Sequence, residues 1–225
     1  MQNAESKLFH VKHFYDSEQE ALFLEFLKAH GQNLPEIALE KLYEYATCLL
    51  SGSEKTNLIS KNDVKKLLSR HFTDSLIPFC LLKEELKMSK KKRFADIGSG
   101  GGCPVIPLAI VLPDMQFYAT EARTLRHKFL SETKQKLHLE NLEVICRRFE
   151  TSGLKDLDFV SSRAVSTFEN DWKLASKTLK HGGYFLTLKS LQSISHLKGN
   201  HDVIIKEYSL PQEEQRYAIA YRRYL

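Results

Sequence analysis

Three glycines at alternate positions, Gly98, Gly100 and Gly102, follow a short apolar run from Arg93 to Ile97. Glycine tolerates backbone angles that side chains forbid, and it leaves the main chain open to a ligand lying against it. A turn of this kind at the carboxyl end of a buried strand is where open α/β sheets bind nucleotide-like molecules. Pro104 and Pro107 suit the first turn of a helix, which Leu108 to Leu112 carries on. An acidic partner for ribose hydroxyls is expected about 20 residues beyond the first glycine. Glu121 stands near that distance, after the apolar run Met115 to Thr120. The competing reading puts Glu121 in the first turn of the next helix, complementing its dipole. Arg163 follows a further apolar run, Leu157 to Ser161, and is expected to face the same crevice or to form a structural salt bridge.

The spacing is G-x-G-x-G, because Cys103 occupies the position where the dinucleotide fingerprint needs its third glycine. With Asp96 two residues ahead of Gly98, the segment resembles motif I of the class I S-adenosylmethionine-dependent methyltransferases. Past the third strand, Leu142 to Cys146, the ring of Phe149 offers an edge for adenine, or else packs in the core. Glu150 beside it is a candidate acceptor for the exocyclic amine.

The elements that must position these residues follow from periodicity. Strands are expected at Arg93–Ile97, Met115–Thr120, Leu142–Cys146, Leu157–Ser161, Tyr184–Lys189, Asp202–Tyr208 and Tyr217–Tyr221. Leu125, Phe129, Thr133 and Leu137 recur at helical spacing across Ala122–Leu137, and a further helix is expected from Glu169 to Leu179, stopped by His181-Gly182-Gly183. Five strands alternating with helices, then two approaching a hairpin, predict an α/β Rossmann-like seven-stranded sheet. Ahead of it lies a helical layer: Glu18–His30, a second helix opened by Pro35 and ending at Ser51-Gly52, then Asn62–Ser69 and Asp74–Leu86. Lys87 to Lys92 links it to the sheet. The expected organisation is one domain, with residues 1–90 as the helical layer and 91–225 as the cofactor-binding core.

A wider set of residues carries a family resemblance. Asn57-Leu58-Ile59, Arg70-His71-Phe72-Thr73-Asp74-Ser75-Leu76, Asp96 to Pro107, Leu125 to Leu130, Arg148-Phe149-Glu150 and Ser162-Arg163-Ala164 together resemble the glucose-inhibited division protein B family, also called RsmG. The resemblance implies a 16S ribosomal RNA guanine-N7 methyltransferase using S-adenosyl-L-methionine. It implies cofactor contacts at Gly98, Cys103, Phe149, Glu150 and Arg163, which join Gly100, Gly102 and Glu121 from the turn. Arg163, with Arg123 and Lys189, is expected to bridge the cofactor pocket and the RNA. The chain departs from the family at Cys103, Val105 and Ser190, and its C-terminal third matches loosely.

Guanine N7 attacks a sulfonium methyl without losing a proton, so no base catalyst is needed and in-line positioning suffices. The fourth strand lacks the Asn/Asp-Pro-Pro-aromatic element of amine methyltransferases, and no cysteine follows it for covalent attack on pyrimidines. Two other readings stay open: a methyltransferase of another substrate, and a non-catalytic RNA-binding assembly protein.

Composition adds boundaries. Lys and Arg total 33 against 28 acids, a net charge of +5. Lys61, Lys65, Lys66 and Arg70, Lys90 to Arg93, Arg147 and Arg148, and Arg222 and Arg223 form local basic clusters suited to phosphates or to solvent. Cys48, Cys80, Cys103 and Cys146 show neither metal-ligand spacing nor a disulfide framework, so no metal is expected. No apolar run suits a bilayer span, and Met1 to Asp16 lacks a secretory pattern. The expected protein is a cytoplasmic monomer that acts on 16S ribosomal RNA or a small-subunit precursor, away from membranes.

Overall fold

A computed structural model describes residues 17–60, 63–82, 86–163, 166–200, 202–210 and 216–223; of 54–55, 78–79, 191 and 216–223 it describes the backbone alone. The expectations for Met1 to Asp16, Lys61, Asn62, Ala164 and Pro211 lie outside these residues.

The described strands form one seven-stranded sheet: β1 (Arg93–Ile97), β2 (Gln116–Thr120), β3 (Leu142–Ile145), β4 (Leu157–Arg163), β5 (Leu179–Ser190), β6 (Val203–Ser209) and β7 (Arg216–Arg223). Their order is β3-β2-β1-β4-β5-β7-β6. The first five pair in parallel, and β7 runs antiparallel between β5 and β6. Central strands covered on both sides read as continuous apolar runs rather than alternating ones. β1 and β4 fit that rule, with every residue but one at an end buried.

Residues on a strand alternate between the two faces, and the two cores sort accordingly. Phe94, Phe117, Phe159 and Leu186 pack on one face with the helical layer α1 (Ser17–Ala29), α2 (Glu36–Thr56) and α3 (Thr73–Leu82), and with α4 (Val105–Val111) and α5 (Thr124–Lys136). Ala95, Ile97, Val160 and Phe185 face the other way, onto Phe149, Leu154 and α6 (Phe168–Ala175). The helical layer thus shares a core with the sheet.

Three expectations need correction. The second helix does not stop at Gly52 but runs to Thr56, where Asn57 caps it in the left-handed conformation. Gly52 serves close approach instead: a Cβ there would sit 2.7 Å from the Phe129 ring on α5 and 2.9 Å from Leu58. The stretch expected as two separate helices is continuous. A 3-10 turn at Val64–Lys66 leads into a π-helical segment, Leu67–Phe72, and straight on into α3, with the Thr73 amide donating to the Leu68 and Arg70 carbonyls. The wider turn directs Leu67, Leu68 and Phe72 inward together.

The third correction concerns His181-Gly182-Gly183. These residues do not stop a helix; α6 already ends at Ala175, and they lie inside β5, at an irregularity where the pairing with β4 jumps from Leu157–Leu179 to Phe159–Tyr184. Gly183 is pressed against backbone: a Cβ would meet the carbonyls of Leu157 at 2.9 Å, Lys180 at 3.0 Å and Asp158 at 3.1 Å. Because carbonyls in a sheet cannot swing away as side chains do, Gly183→Ala is expected to destabilise the fold by about 1–3 kcal/mol. Urea denaturation checks this, and an unchanged midpoint would mean that the irregular segment adapts.

Candidate active site

The glycine turn leaves β1 with Gly98, Gly100 and Gly102 at φ of +62°, +55° and +99°. Two of them are needed for different reasons. Around Gly100 the space is open, the nearest atoms to an added Cβ being the Arg126 guanidinium and the Gly98 carbonyl at 3.8 Å. At Gly102 it is closed, since a Cβ would fall 2.5 Å from Ile106 and 2.9 Å from the Tyr45 hydroxyl. The backbone at Gly100 is open, and Gly102 lets α4 pack close.

Glu121 is buried, and its carboxylate is already engaged. Oε2 accepts the Gly100 amide at 3.1 Å and Oε1 accepts the Arg123 amide at 2.8 Å. It precedes α5 by three residues, so the helix-dipole reading does not describe its place. A carboxylate has about four acceptor sites, so the two amides leave lone pairs for further donors. Those lone pairs can accept from hydroxyl groups beside Gly100.

Under the turn lies Asp96, 2% exposed, whose Oδ1 accepts from Ser161 of β4 at 2.5 Å. Burial pushes its carboxyl up to about 7, against the Ser161 and Ser99 hydroxyls and the Arg163 charge, which draw it down. Tyr45 of α2 reaches the turn from above. Its hydroxyl donates to the Gly101 carbonyl at 2.7 Å and lies 3.3 Å from the Cys103 sulfur, while its ring stacks on Phe72 at 5.3 Å. Burial, reinforced by Cys103, drives the phenol well above its ordinary range.

Arg163 is half-buried at the end of β4. Burial alone would lower its affinity for a proton, but Cys103, Asp74, Tyr45 and Asp96 together raise it. The structure therefore brings Gly98, Gly100, Gly102, Cys103, Glu121 and Arg163 to one rim. Arg123 is exposed at the start of α5, beside that rim.

Lys189 is placed differently from its expected company with Arg163. Arg163 pairs with Leu188, so Lys189 points to the opposite face of the sheet. There its ammonium donates to the Ser166 carbonyl at 2.6 Å and to Asp171 Oδ2 at 3.4 Å. Asp171 is fully buried and also accepts from Ser162 at 2.6 Å. Phe149 is 4% exposed within the core against Ala95 and Leu157, which is the packing reading, and Glu150 beside it is exposed. Sequence reasoning missed Tyr45, Arg126 and Asp171. Tyr45 sits in the apolar periodicity of its helix and is legible as core, but nothing local reveals the carbonyl its hydroxyl meets.

A parallel sheet with the reversed β7 strand, and a glycine turn faced by a buried carboxylate, define an S-adenosylmethionine-dependent methyltransferase of class I. A solved methyltransferase from Geobacter sulfurreducens shares this fold at a TM-score of 0.59, with 11% identity, covering 80% of this chain and 90% of its own. Residues 38–218 match the GidB family model, described as rRNA small subunit methyltransferase G, and the chain belongs to that family of rRNA methyltransferases. Ribosomal RNA small subunit methyltransferase G of Desulfitobacterium hafniense (strain Y51) is 34% identical over 160 residues, 69% of this chain and 64% of that relative's length. The protein of the same description in Sorangium cellulosum (strain So ce56) is 35% identical over 179 residues, 78% of this chain and 74% of its own.

Removing one partner of a buried ion pair leaves a desolvated charge, which costs about 3–5 kcal/mol. Lys189→Met is therefore expected to lower stability on that scale, as Asp171 loses its cation. Equilibrium denaturation measures it, and an unchanged stability with only a weaker affinity for RNA would show Lys189 to be a phosphate contact.

Proposed function

We propose that this chain transfers the methyl group of S-adenosyl-L-methionine to N7 of a guanine in 16S ribosomal RNA, acting as a cytoplasmic monomer on that RNA or on a small-subunit precursor. The observation that carries this reading is the open backbone at Gly100 with the Glu121 carboxylate against it, in a chain that belongs to an rRNA methyltransferase family. Among the described residues no helix is long and apolar enough to cross a membrane.

Bound S-adenosylmethionine supplies a methyl group on a positively charged sulfur, ready for displacement. Gly98, Gly100, Gly102 and Cys103 hold the ligand against the main chain, and Glu121 accepts from its ribose. Glu150, exposed beside the buried Phe149, borders the adenine. Arg163 meets a carboxylate or phosphate with its planar fork, a pairing that a lysine cannot reproduce. Arg123 contacts RNA phosphate from the surface. Lys189, through Ser166 and Asp171, ties the end of β5 to the start of the α6 region. The lone pair of N7 needs no base, so the protein contributes alignment.

Mass spectrometry of 16S ribosomal RNA from cells lacking the gene is expected to show loss of one N7-methylguanosine, restored by the purified protein and cofactor. Incorporation of labelled methyl into protein or metabolites, with none in the RNA, would overturn the assignment. The cofactor geometry has its own test. Glu121→Ala is expected to weaken S-adenosylmethionine binding by about 1.5–3 kcal/mol, the range for hydrogen bonds to a charged group. Unchanged calorimetric affinity would mean that the carboxylate serves only to tie Gly100.

A further inference from the structure

The arginines whose side chains are described divide into two groups. Arg70 lies 3.7 Å from the Asp63 carboxylate, and Arg93 donates to the Tyr118 hydroxyl at 3.3 Å and to the Lys155 carbonyl at 2.6 Å. Arg123, Arg126, Arg147, Arg148 and Arg163 have no hydrogen-bond acceptor and no ion-pair partner within bonding distance among the described residues. Water satisfies a single exposed arginine. Five gathered in one region, each with a forked set of donors and a permanent charge, are a surface suited to anions.

All five follow the carboxyl ends of β4, β2 and β3, and main-chain bonds link their positions. The amides of Glu121 and Arg147 both donate to the Ile145 carbonyl, at 3.1 and 3.0 Å. The Glu121 carboxylate in turn holds the Arg123 amide at 2.8 Å and the Gly100 amide at 3.1 Å. Arg126 is half-buried in the first turn of α5, and its guanidinium comes within 3.8 Å of where a Gly100 Cβ would stand. Arg123, Arg147 and Arg148 are exposed beside it. The open backbone of the turn thus has Arg163 on one side and four further arginines on the other. β4, β1, β2 and β3 are consecutive in the sheet, so with strands about 4.8 Å apart this row spans about 14 Å. One carboxylate would occupy one cation. A row of this length fits a repeating anion, the phosphates of a nucleic-acid strand.

We propose that Arg123, Arg126, Arg147 and Arg148 form a docking edge for the RNA backbone, so that the substrate reaches the cofactor turn across the ends of β2 and β3. This rests on the reading that the chain methylates small-subunit ribosomal RNA. The edge separates two basic clusters that look alike in the sequence. Arg147-Arg148 belongs to it, whereas Lys90 to Arg93 lies at the amino end of β1, where Lys90 meets Asp114 at 3.4 Å and Lys92 meets Asp158 at 3.0 Å.

Equilibrium binding to small ribosomal subunits from cells lacking the gene, with S-adenosylhomocysteine saturating and salt varied, tests the edge. Arg147→Gln/Arg148→Gln is expected to weaken binding about tenfold or more at low salt. The slope of log affinity against log salt should flatten by about 2, one for each lost phosphate contact. Arg126→Gln is expected to flatten it by about 1, with the affinity for S-adenosylmethionine within about twofold. Lys90→Gln/Lys91→Gln removes the same charge from the opposite end of the sheet and should leave affinity within about twofold and the slope unchanged. Equal weakening by the two double variants would mean only a general attraction and would overturn the edge, as would unchanged binding by Arg147→Gln/Arg148→Gln. Loss of S-adenosylmethionine affinity in Arg126→Gln, with subunit binding intact, would make Arg126 a cofactor contact and overturn its place in the edge. Unaltered protein that neither binds nor methylates these subunits would instead overturn the substrate reading, and the edge with it.

Discussion

A turn built from Gly98, Gly100 and Gly102 has no side chains at those positions to fix it, so its shape must be imposed from outside. The hydrogen bond from the Gly100 amide to Glu121 is the central constraint. It ties the end of β1 to the end of β2, and the second oxygen of Glu121 holds the entry to α5. Around it, the Ser99 amide donates to the Thr120 carbonyl at 2.9 Å, and Tyr45 donates to the Gly101 carbonyl at 2.7 Å. The surroundings thus supply the rigidity that the glycines lack. One consequence follows for the N-terminal helices. Because Tyr45 comes from α2 and stacks on Phe72 at the threshold of α3, the helical layer holds the turn as well as covering the sheet. A change in that layer would be felt at the backbone of the glycine turn.

Strand alternation divides the work at the end of β4. Ser161 turns to Asp96, Ser162 to Asp171 on the opposite face, and Arg163 back toward the helical layer. Three consecutive residues therefore stabilise the strand beneath the turn, anchor α6, and present a cation at the rim. Lys189 joins the middle assignment from β5. It shares Asp171 with Ser162, so one carboxylate ties the ends of β4 and β5 to α6.

Much of this was legible in order along the chain. The strand–glycine–helix run, the acid after the second strand and the arginine after the fourth all fall where sequence reading puts them, because local pattern and tertiary role coincide there. Where they diverge, reading fails. His181-Gly182-Gly183 has the composition of a helix stop, yet Gly183 is glycine because three carbonyls crowd it inside a strand. Gly52 looks like a terminator and is a contact point for Phe129. Lys189 is close in sequence to the rim, but its direction depends on a one-residue register that periodicity does not reveal. Tyr45 and Tyr208 carry hydroxyls whose partners lie 56 and 134 residues away. No local pattern encodes a bond of that span.

Electrostatics connects these placements to the proposed reaction. Attack by guanine N7 moves positive charge from sulfur to the base, so a bare cation beside the nucleophile would oppose the transfer. Arg163 is not bare: Cys103, Asp74, Tyr45 and Asp96 surround it with groups that favour its charge. Tyr45 stays a neutral phenol, so Asp74 and Asp96 are the carboxylates set against the Arg163 charge, and its planar fork can still meet a carboxylate or phosphate. Asp96 bears on the same balance, since its carboxyl is poised at about 7 and the Arg163 charge favours its ionised form. Buried carboxylates in a methyltransferase that needs no base therefore have a use. They set the charge of the rim while Glu121 holds its shape, and both effects converge on the open backbone at Gly100.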